Sequence, residues 1–367
     1  MIEDKVFIWL FLYFKMKKVI IIGGGFAGAL AAKKLEKENF FVTLIDAKDY
    51  FEFTPSVLRT IVEPEHIKKI QILHRHYLSK TRIIVGEVKK ISEKNVIVKP
   101  INDFQRKLYF DYLVIASGSS YNFPMKEKNL VISTRANTLR DCYEKLCSSE
   151  KILIIGGGLV GVELAAEIIG HYGMENKKIK MVHAYPELIE RNPKKARQYA
   201  ERFLEKNGVK IIFNEMVVKG NKGTFTTDKG TKIKTDMAFL CTGITPNFKF
   251  MEENFSSLLN KENQVKVNQY LQLQGFNNIF VAGDIISIKE EKTAQNAECH
   301  AKIVVNNIKA LEKKQKLKEY KPRPRIMVIS LGKRNGILTY KNLSLTGIIP
   351  GVLKTLIERK TMKRYKS

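Results

Sequence analysis

Short apolar runs that end in glycine recur along the chain, and their order sets the first expectation of the fold. Lys18 to Ile22 (KVIII) is an unbroken β-branched run, the pattern of a strand buried on both faces of a parallel sheet. Glycines follow at once. From Ala27 to Lys37 the small and apolar residues fall on a helical face, and Phe40 to Ile45 (FFVTLI) is a second buried run ending at Asp46. Strand, glycine turn, helix and strand together predict a βαβ unit. The same order returns at Lys151, where KILII meets Gly156, Gly157 and Gly158, a helix carries Val160 to Ile169, and Ile179 to Val182 supplies the next strand. The two glycine turns open 133 positions apart, at Gly23 and Gly156, which implies a duplicated nucleotide-binding architecture.

Other stretches extend the two sheets. Arg82 to Val98 reads as an alternating strand pair around Gly86 and Asn95, and Tyr112 to Ala116 (YLVIA), Met237 to Leu240 and Asn278 to Ala282 (NIFVA) read as further buried strands. From Tyr320 onward, Pro322 and Pro324 open what reads as a small separate module joined by a lysine-rich helix. The expected fold class is α/β, with two Rossmann-like dinucleotide-binding domains and a small C-terminal α+β module.

At the N-terminus, Val6 to Phe14 (VFIWLFLYF) is nine consecutive apolar residues. As a helix it spans about 13 Å, too short to cross a bilayer. Three readings stand: a segment dipping into one leaflet, a short signal sequence with the wrong flanking charge at Glu3 and Asp4, and an extension upstream of a natural start at Met16.

Composition narrows the class. The 367 residues, 44% of them hydrophobic, suffice for two or three domains with real cores. Four cysteines, Cys142, Cys147, Cys241 and Cys299, are too few and scattered for a disulfide framework and make no zinc pattern, so no metal and a reducing compartment are expected. The net charge of +27 suits nucleic acid, anionic lipid or anionic cofactors without choosing among them, and its lysines are spread along the whole chain, as solvated faces would have it.

The glycines carry the first chemistry. Gly23, Gly25 and Gly28 form G-x-G-x-x-G after a strand and before a helix: the first permits the tight turn, the second admits a pyrophosphate to the backbone, and the third lets helix meet strand. The whole turn, with Gly24, Phe26 and Ala27, is expected to contact the cofactor. Asp46 stands 18 residues past Gly28 at the next strand's end, where a carboxylate holds ribose hydroxyls. Gly156, Gly158 and Gly161 repeat the pattern, so two dinucleotide sites are expected, and two suit a flavin enzyme. The second strand ends in His183 rather than an acid. With no carboxylate there to repel a 2′-phosphate, NADPH becomes admissible beside NADH; the duller reading is that His183 only caps the strand.

These features resemble the flavoproteins with two dinucleotide-binding domains, over about residues 18 to 310. Arg82 to Lys94 is similar to that family's hairpin, in which the backbone at Val88 faces the adenine. Tyr112 to Gly118 (YLVIASG) is similar to the strand and turn closing the FAD domain, with Ser117 where threonine is usual. Phe239 to Gly243 (FLCTG) with Pro246 and Asn247 resembles the second crossover, and Ile279 to Asp284 (IFVAGD) the segment whose aspartate holds the flavin ribityl chain. The resemblance implies FAD bound by residues 18–125 and 245–315, NADH or NADPH by 126–244, an N-terminal extension over 1–17, and a C-terminal module over 316–367. Disulfide reductases of this kind carry C-x4-C soon after the first βαβ unit, but Lys48 to Pro64 contains no cysteine. Cys142 and Cys147 have that spacing in the wrong place and read as plain thiols.

Thr293 to Ala297 (TAQNA), with Thr293 and Ala294 at the cofactor, resembles the segment of type II NADH:quinone oxidoreductases beside the isoalloxazine. Cys299 and His300 stand where that family has glutamines. The widest resemblance is to the apoptosis-inducing-factor-like, ferroptosis-suppressor group, through GVELAAEI at Gly161 to Ile168 and SLGKRNG at Ser330 to Gly336. It implies that Glu163 sits where nicotinamide and flavin meet and that Arg59 contacts the FAD. Near neighbours on a helix N-terminus also favour a glutamate for plain electrostatic reasons. The implied reaction is NAD(P)H to FAD to a quinone, at the surface of a membrane reached from the cytoplasm, an association with mitochondria being compatible. Ile348 to Tyr365 is expected to place Val352, Leu353, Leu356 and Ile357 on one face beside Lys354, Arg359, Lys360, Lys363 and Arg364, as a basic amphipathic helix or as ordinary domain packing. Competing readings are a soluble reductase feeding a ferredoxin-like protein and an NAD(P)H-responsive DNA-binding flavoprotein, the latter permitted by charge but not favoured.

Overall fold

The computed structural model describes residues 16–121, 132–173, 175–221 and 223–366; the Val6 to Phe14 segment and the expected boundary at 125/126 lie outside the described residues. Strand β1 (Lys17–Ile22) turns at Gly23 into helix α1 (Phe26–Leu35), and β2 (Phe40–Asp46) returns parallel to β1 with Val19 opposite Val42. Short turns follow, two of them α-helical at Val57–Thr60 and Ile67–Ile70, before β3 (Arg82–Ile91), β4 (Asn95–Pro100), β5 (Arg106–Tyr109) and β6 (Tyr112–Ile115). Helix α2 (Ile132–Ser148) leads into the repeat: β7 (Lys151–Ile155), α3 (Leu159–Tyr172), β8 (Lys178–His183), α4 (Lys194–Lys206), β9 (Lys210–Phe213) and β10 (Met237–Leu240). The chain then crosses back through β11 (Ile279–Val281) and α5 (Ala294–Glu312), and ends in β12 (Ile326–Leu331), β13 (Asn335–Tyr340), β14 (Leu343–Gly347) and α6 (Ile348–Lys366).

The first sheet has seven strands in the order β11-β6-β1-β2-β3-β4-β5. Its first five are parallel, and β4 and β5 are added as an antiparallel meander. The second sheet, β9-β8-β7-β10, is wholly parallel. Strands buried on both faces must be apolar throughout, and Val19, Ile21, Leu113, Val114, Leu153 and Ile154 are all at 0% exposure. The α/β class with two glycine-opened parallel sheets is thus what the apolar runs called for.

The C-terminal residues form a three-stranded antiparallel sheet, β12-β13-β14, followed by α6. They do not stand apart. Ile329, Leu331 and Ile337 complete the core around the second sheet, and Met362 and Tyr365 enter the core around the first. So small a sheet has too little apolar surface to close a core alone, and it borrows two. Helix α6 keeps the expected Val352, Leu356 and Ile357 together on an exposed face but differs in where two of its basic residues point. Its inner face is Pro350, Gly351, Glu358, Thr361, Met362 and Tyr365, while Ile348, Ile349, Val352 and Leu356 point outward at 66%, 68%, 48% and 53% exposure. Lys354 and Arg364, expected beside the apolar face, turn inward onto Glu163 and Glu298, because those carboxylates lie on the packed side.

Tyr365 is fully buried against Phe51, with ring centroids 4.4 Å apart, and against Tyr77 at 4.9 Å. Tyr365→Ala is expected to lower stability by about 3 kcal/mol through the cavity it leaves, seen as a lower denaturant midpoint with an unchanged slope.

Candidate functional site

The site begins where each glycine turn forces a helix down on its strand. A side chain at Gly28 would sit 1.8 Å from the Gly23 carbonyl oxygen, and one at Gly161 would sit 1.9 Å from that of Gly156. Gly23 and Gly156 themselves have φ of +97° and +110°, open to glycine alone. At Gly25 and Gly158, by contrast, a side chain would meet nothing within 4 Å. Each α1 and α3 N-terminus therefore opens on free space with its backbone N–H groups outward, which fits a pyrophosphate. Phe26 and Ala27 continue the first turn into α1, Phe26 lying edge-on to Phe51 and Phe53.

Asp46 ends β2 beside Gly24, where a side chain would meet the Asp46 Oδ2 and His74 at 2.5 Å. His74, fully buried, lies with Nε2 3.0 Å from Asp46 Oδ2 and Nδ1 2.7 Å from the Tyr77 hydroxyl. Burial alone would raise the Asp46 pKa, but the bond and charge of His74, helped by Lys48, hold it below the ordinary carboxylate value. An ionised acceptor is thus held at the strand end, as a ribose requires. The equivalent strand β8 ends in His183, whose Nδ1 accepts the Gly157 N–H at 3.1 Å. Val88 is buried in β3, where the register against β4 slips between Val88 and Lys90.

The crossovers bring the remaining expected residues together. Gly118 has φ of +63° and its carbonyl accepts the Asn247 N–H at 2.9 Å; Ser119–Ser120 pairs antiparallel with Thr245–Pro246. Gly243, at φ +61°, lies on the return crossover. Ser119 Oγ donates to Asp284 Oδ2 at 2.7 Å, fixing that carboxylate after β11. Thr293 caps α5, its hydroxyl accepting the Asn296 N–H at 3.2 Å, and Ala294 is the first helical residue. Two turns on, His300 accepts the Gly283 N–H on Nδ1 at 3.1 Å, and its Nε2 lies 2.7 Å from Glu290, which also accepts the Tyr320 hydroxyl. His300 therefore braces the Asp284 turn from beneath.

Glu163 and Arg59 meet the C-terminal module. The Glu163 carboxylate accepts the Ser330 N–H at 2.7 Å and the Lys354 ammonium at 2.6 Å. Arg59 turns its guanidinium to Glu167, at 3.1 and 3.3 Å, on the same helix α3. A small cleft lined by Pro55, Ser56, Arg59, Glu167, Ser330 and Lys354 marks the place where both sheets and the module converge. Next to it His66 Nε2 lies 3.1 Å from Glu358, both buried. His74, Ser330, Lys354, His66 and Glu358 were not foreseen from the sequence. A lone histidine or lysine carries no motif, and only the fold brings these to the glycine loops. None of the four cysteines forms a disulfide; on α2 Cys142 is buried and Cys147 exposed, and burial pushes the Cys241 thiol up to about 12. Among the described residues no His, Cys, Asp and Glu cluster could hold a metal.

Residues 17–301 match the family model of the pyridine nucleotide-disulphide oxidoreductases, and the chain belongs to that family. As a member it is an oxidoreductase and a flavoprotein, taking FAD and NADH or NADPH, and the two glycine turns with Asp46 and Asp284 fit those groups. It is similar to apoptosis-inducing factor homolog A of Dictyostelium discoideum, at 35% identity over 92% of this chain and 89% of that protein. Ferroptosis suppressor protein 1 of Mus musculus is 33% identical over 87% of each chain. Among solved structures, NDH2 of Plasmodium falciparum in complex with NADH superposes with a TM-score of 0.80 at 15% identity, covering 95% of this chain and 96% of that one. The sulfide:quinone oxidoreductase of Aquifex aeolicus gives 0.81 at 18% identity, covering 95% and 91%. Both share the fold.

Gly28→Ala is expected to yield protein purified without bound flavin, read as loss of visible absorption, because the added methyl cannot fit against Gly23. A second expectation concerns acid. Burial alone would raise the Glu358 pKa, but bonds from His66 and Ser56 outweigh it and hold it below its ordinary 4.5. A depressed carboxylate stabilises the fold above its unfolded pKa and loses that contribution as pH falls through the folded value. The gap in urea midpoint between wild type and Glu358→Gln should therefore be full at neutral pH and narrow below about 4.5.

Proposed function

We propose that the chain is an NAD(P)H:quinone oxidoreductase that works at a membrane surface, with FAD held by residues 18–125 and 245–315 and the nicotinamide by 126–244. The balanced reaction is NAD(P)H plus a proton plus quinone giving NAD(P)+ plus quinol. FAD, when bound, supplies the capacity to take a hydride and give two electrons on. The protein's part is to bind, orient and enclose. Asp46 and the Gly23 turn are assigned to the FAD adenosine and pyrophosphate, Asp284 to the ribityl chain, and the Gly156 turn to the second dinucleotide. Thr293 and Ala294 open the α5 N-terminus, whose positive end favours negative charge developing on a reduced flavin. Glu163, held by Ser330 and Lys354, is assigned to the junction where hydride passes.

The observation that carries the quinone reading is the outward polarity of α6. Its outer face begins apolar, at Ile348, Ile349, Val352 and Leu356, and continues basic, at Arg359, Lys360 and Lys363, while its inner face carries Lys354 to Glu163. An apolar strip bordered by cations suits an anionic lipid surface, and long-tailed quinones dissolve in lipid. Among the described residues no helix is long and apolar enough to cross a membrane, so the contact proposed is peripheral. The sulfide:quinone oxidoreductase among the structural neighbours and the absence of cysteine between Lys48 and Pro64 in the sequence support an acceptor other than a protein disulfide.

The test is anaerobic. NADH or NADPH should bleach the flavin absorption, and a short-chain quinone should restore it; bleaching without recovery on quinone addition would move the acceptor to a protein or oxygen. Leu356→Glu should slow turnover several-fold with a long-tailed quinone embedded in anionic vesicles and leave short-chain quinone turnover unchanged. Equal loss with both quinones would remove the membrane assignment.

A further inference from the structure

We propose that the hollow at the C-terminal end of α5 is a further anion site, separate from the two glycine turns, which takes a ligand carrying two or more phosphate groups. It is a cavity of about 270 Å³ lined by Asn306, Lys309, Lys313, Gln315, Lys316 and Lys318, with no carboxylate among its lining residues. That volume lies just under the roughly 300–1,000 Å³ of small-molecule sites. A lining of ammoniums and amides selects for an anion.

The walls are built by the backbone. Asn306, Lys309 and Lys313 recur at the three- and four-residue spacing that puts them on one face of α5. Just past the helix, Lys314 is held at φ +52°, and the N–H groups of Lys313, Lys314 and Gln315 donate to the carbonyls of Lys309, Leu311 and Ala310. This closes the helix and satisfies carbonyls that would otherwise repel an anion. The tether to the C-terminal module then runs back beside the helix. Asn307, fully buried, fastens it: its amide donates to the Lys318 carbonyl at 2.9 Å and to that of Tyr270 at 3.0 Å, and its Oδ1 accepts the Lys318 N–H at 2.7 Å. The cavity is therefore walled by α5 and by the tether, and the Asn307 bonds hold the two together before any ligand arrives, which lowers the cost of ordering the site on binding.

The charges are left over for a ligand. Of the four ammoniums, that of Lys309 is paired with Glu38, whereas those of Lys313, Lys316 and Lys318 have no ion pair among the described residues. Glu312 and Glu319 lie outside the lining, and Glu312 accepts the Tyr112 hydroxyl at 2.6 Å. Three unpaired like charges around one hollow repel each other, and an anion between them relieves that repulsion. A single phosphate carries about −1.5 to −2, too little to balance them, and two phosphates suffice. The side-chain amides of Asn306 and Gln315 add neutral N–H donors for the remaining oxygens.

The test is calorimetry on the full chain, loaded with FAD and saturated with NAD+ so that both glycine turns are filled, with inorganic pyrophosphate as the probe. Wild type should bind one pyrophosphate at an ionic strength of about 0.15 M. Lys313→Ala/Lys316→Ala should weaken that binding at least about tenfold, with flavin content and the rate of flavin reduction by NADH unchanged. Lys232→Ala/Lys234→Ala, the same loss of charge at two exposed lysines on a separate strand, should leave the affinity as it is. No binding by wild type, undiminished binding by Lys313→Ala/Lys316→Ala, or equal weakening by both pairs would overturn the inference. Flotation with phosphatidylcholine vesicles, with and without phosphatidylinositol bisphosphate, separates the sources of such a ligand. Bisphosphate-dependent flotation that Lys313→Ala/Lys316→Ala loses and free inositol trisphosphate competes away makes it a lipid headgroup. Pyrophosphate binding with flotation equal in wild type and variant makes it a free phosphate compound. Neither arm depends on the electron acceptor.

Discussion

Everything in this structure depends on two places where backbone touches backbone with no room for a methyl group. At Gly28 over Gly23, and at Gly161 over Gly156, helix and strand approach so closely that a single added carbon would overlap a carbonyl oxygen. That contact fixes where each helix begins, and hence where its N–H groups point. It also fixes the direction of the following strand, since the Gly23 N–H bonds the Ile45 carbonyl and the Gly156 N–H bonds that of Val182. The strand-end residues Asp46 and His183 are delivered as a consequence, beside Gly24 and Gly157 respectively.

The C-terminal module adds a second constraint of another kind. It has little core of its own, so its β-strands and α6 share apolar surface with both sheets, and its charged groups find partners there: Lys354 on Glu163, Glu358 on His66, Arg364 on Glu298. The pairs of Lys354 with Glu163 and Glu358 with His66 are largely buried, and removing one member of a buried pair leaves the other group without its partner, so they fix the module's placement more than they add to stability. The helix that faces solvent with isoleucine, valine and leucine therefore faces the protein with glutamate, lysine and tyrosine.

Much of this was legible in the chain. Continuous β-branched runs gave away the parallel strands, because burial on both faces permits nothing else, and glycines at fixed offsets marked the helix starts. The resemblance carried by Gly161 to Ile168 and by Ile279 to Asp284 pointed to the family that the comparisons established. What escaped was every partner brought in by folding. Neither His74 beside Asp46 nor Ser330 and Lys354 around Glu163 is marked by spacing, because they come from segments 28, 167 and 191 residues away. The last helix was legible in part: periodicity placed Val352, Leu356 and Ile357 on one face, but it does not show which face is covered or that Lys354 and Arg364 turn inward.

The two glycine-opened halves also differ in how their strand ends are furnished. In the first, a carboxylate ends the strand and a histidine comes from a later loop, as Asp46 and His74; in the second, a histidine ends the strand and a carboxylate comes from the loop, as His183 and Glu190. An acid and an imidazole are present both times, with their positions in the chain exchanged. A duplicated fold can thus keep an acid beside an imidazole at both strand ends while exchanging which backbone element carries which, so that a strand-end residue read alone does not show what lies against it.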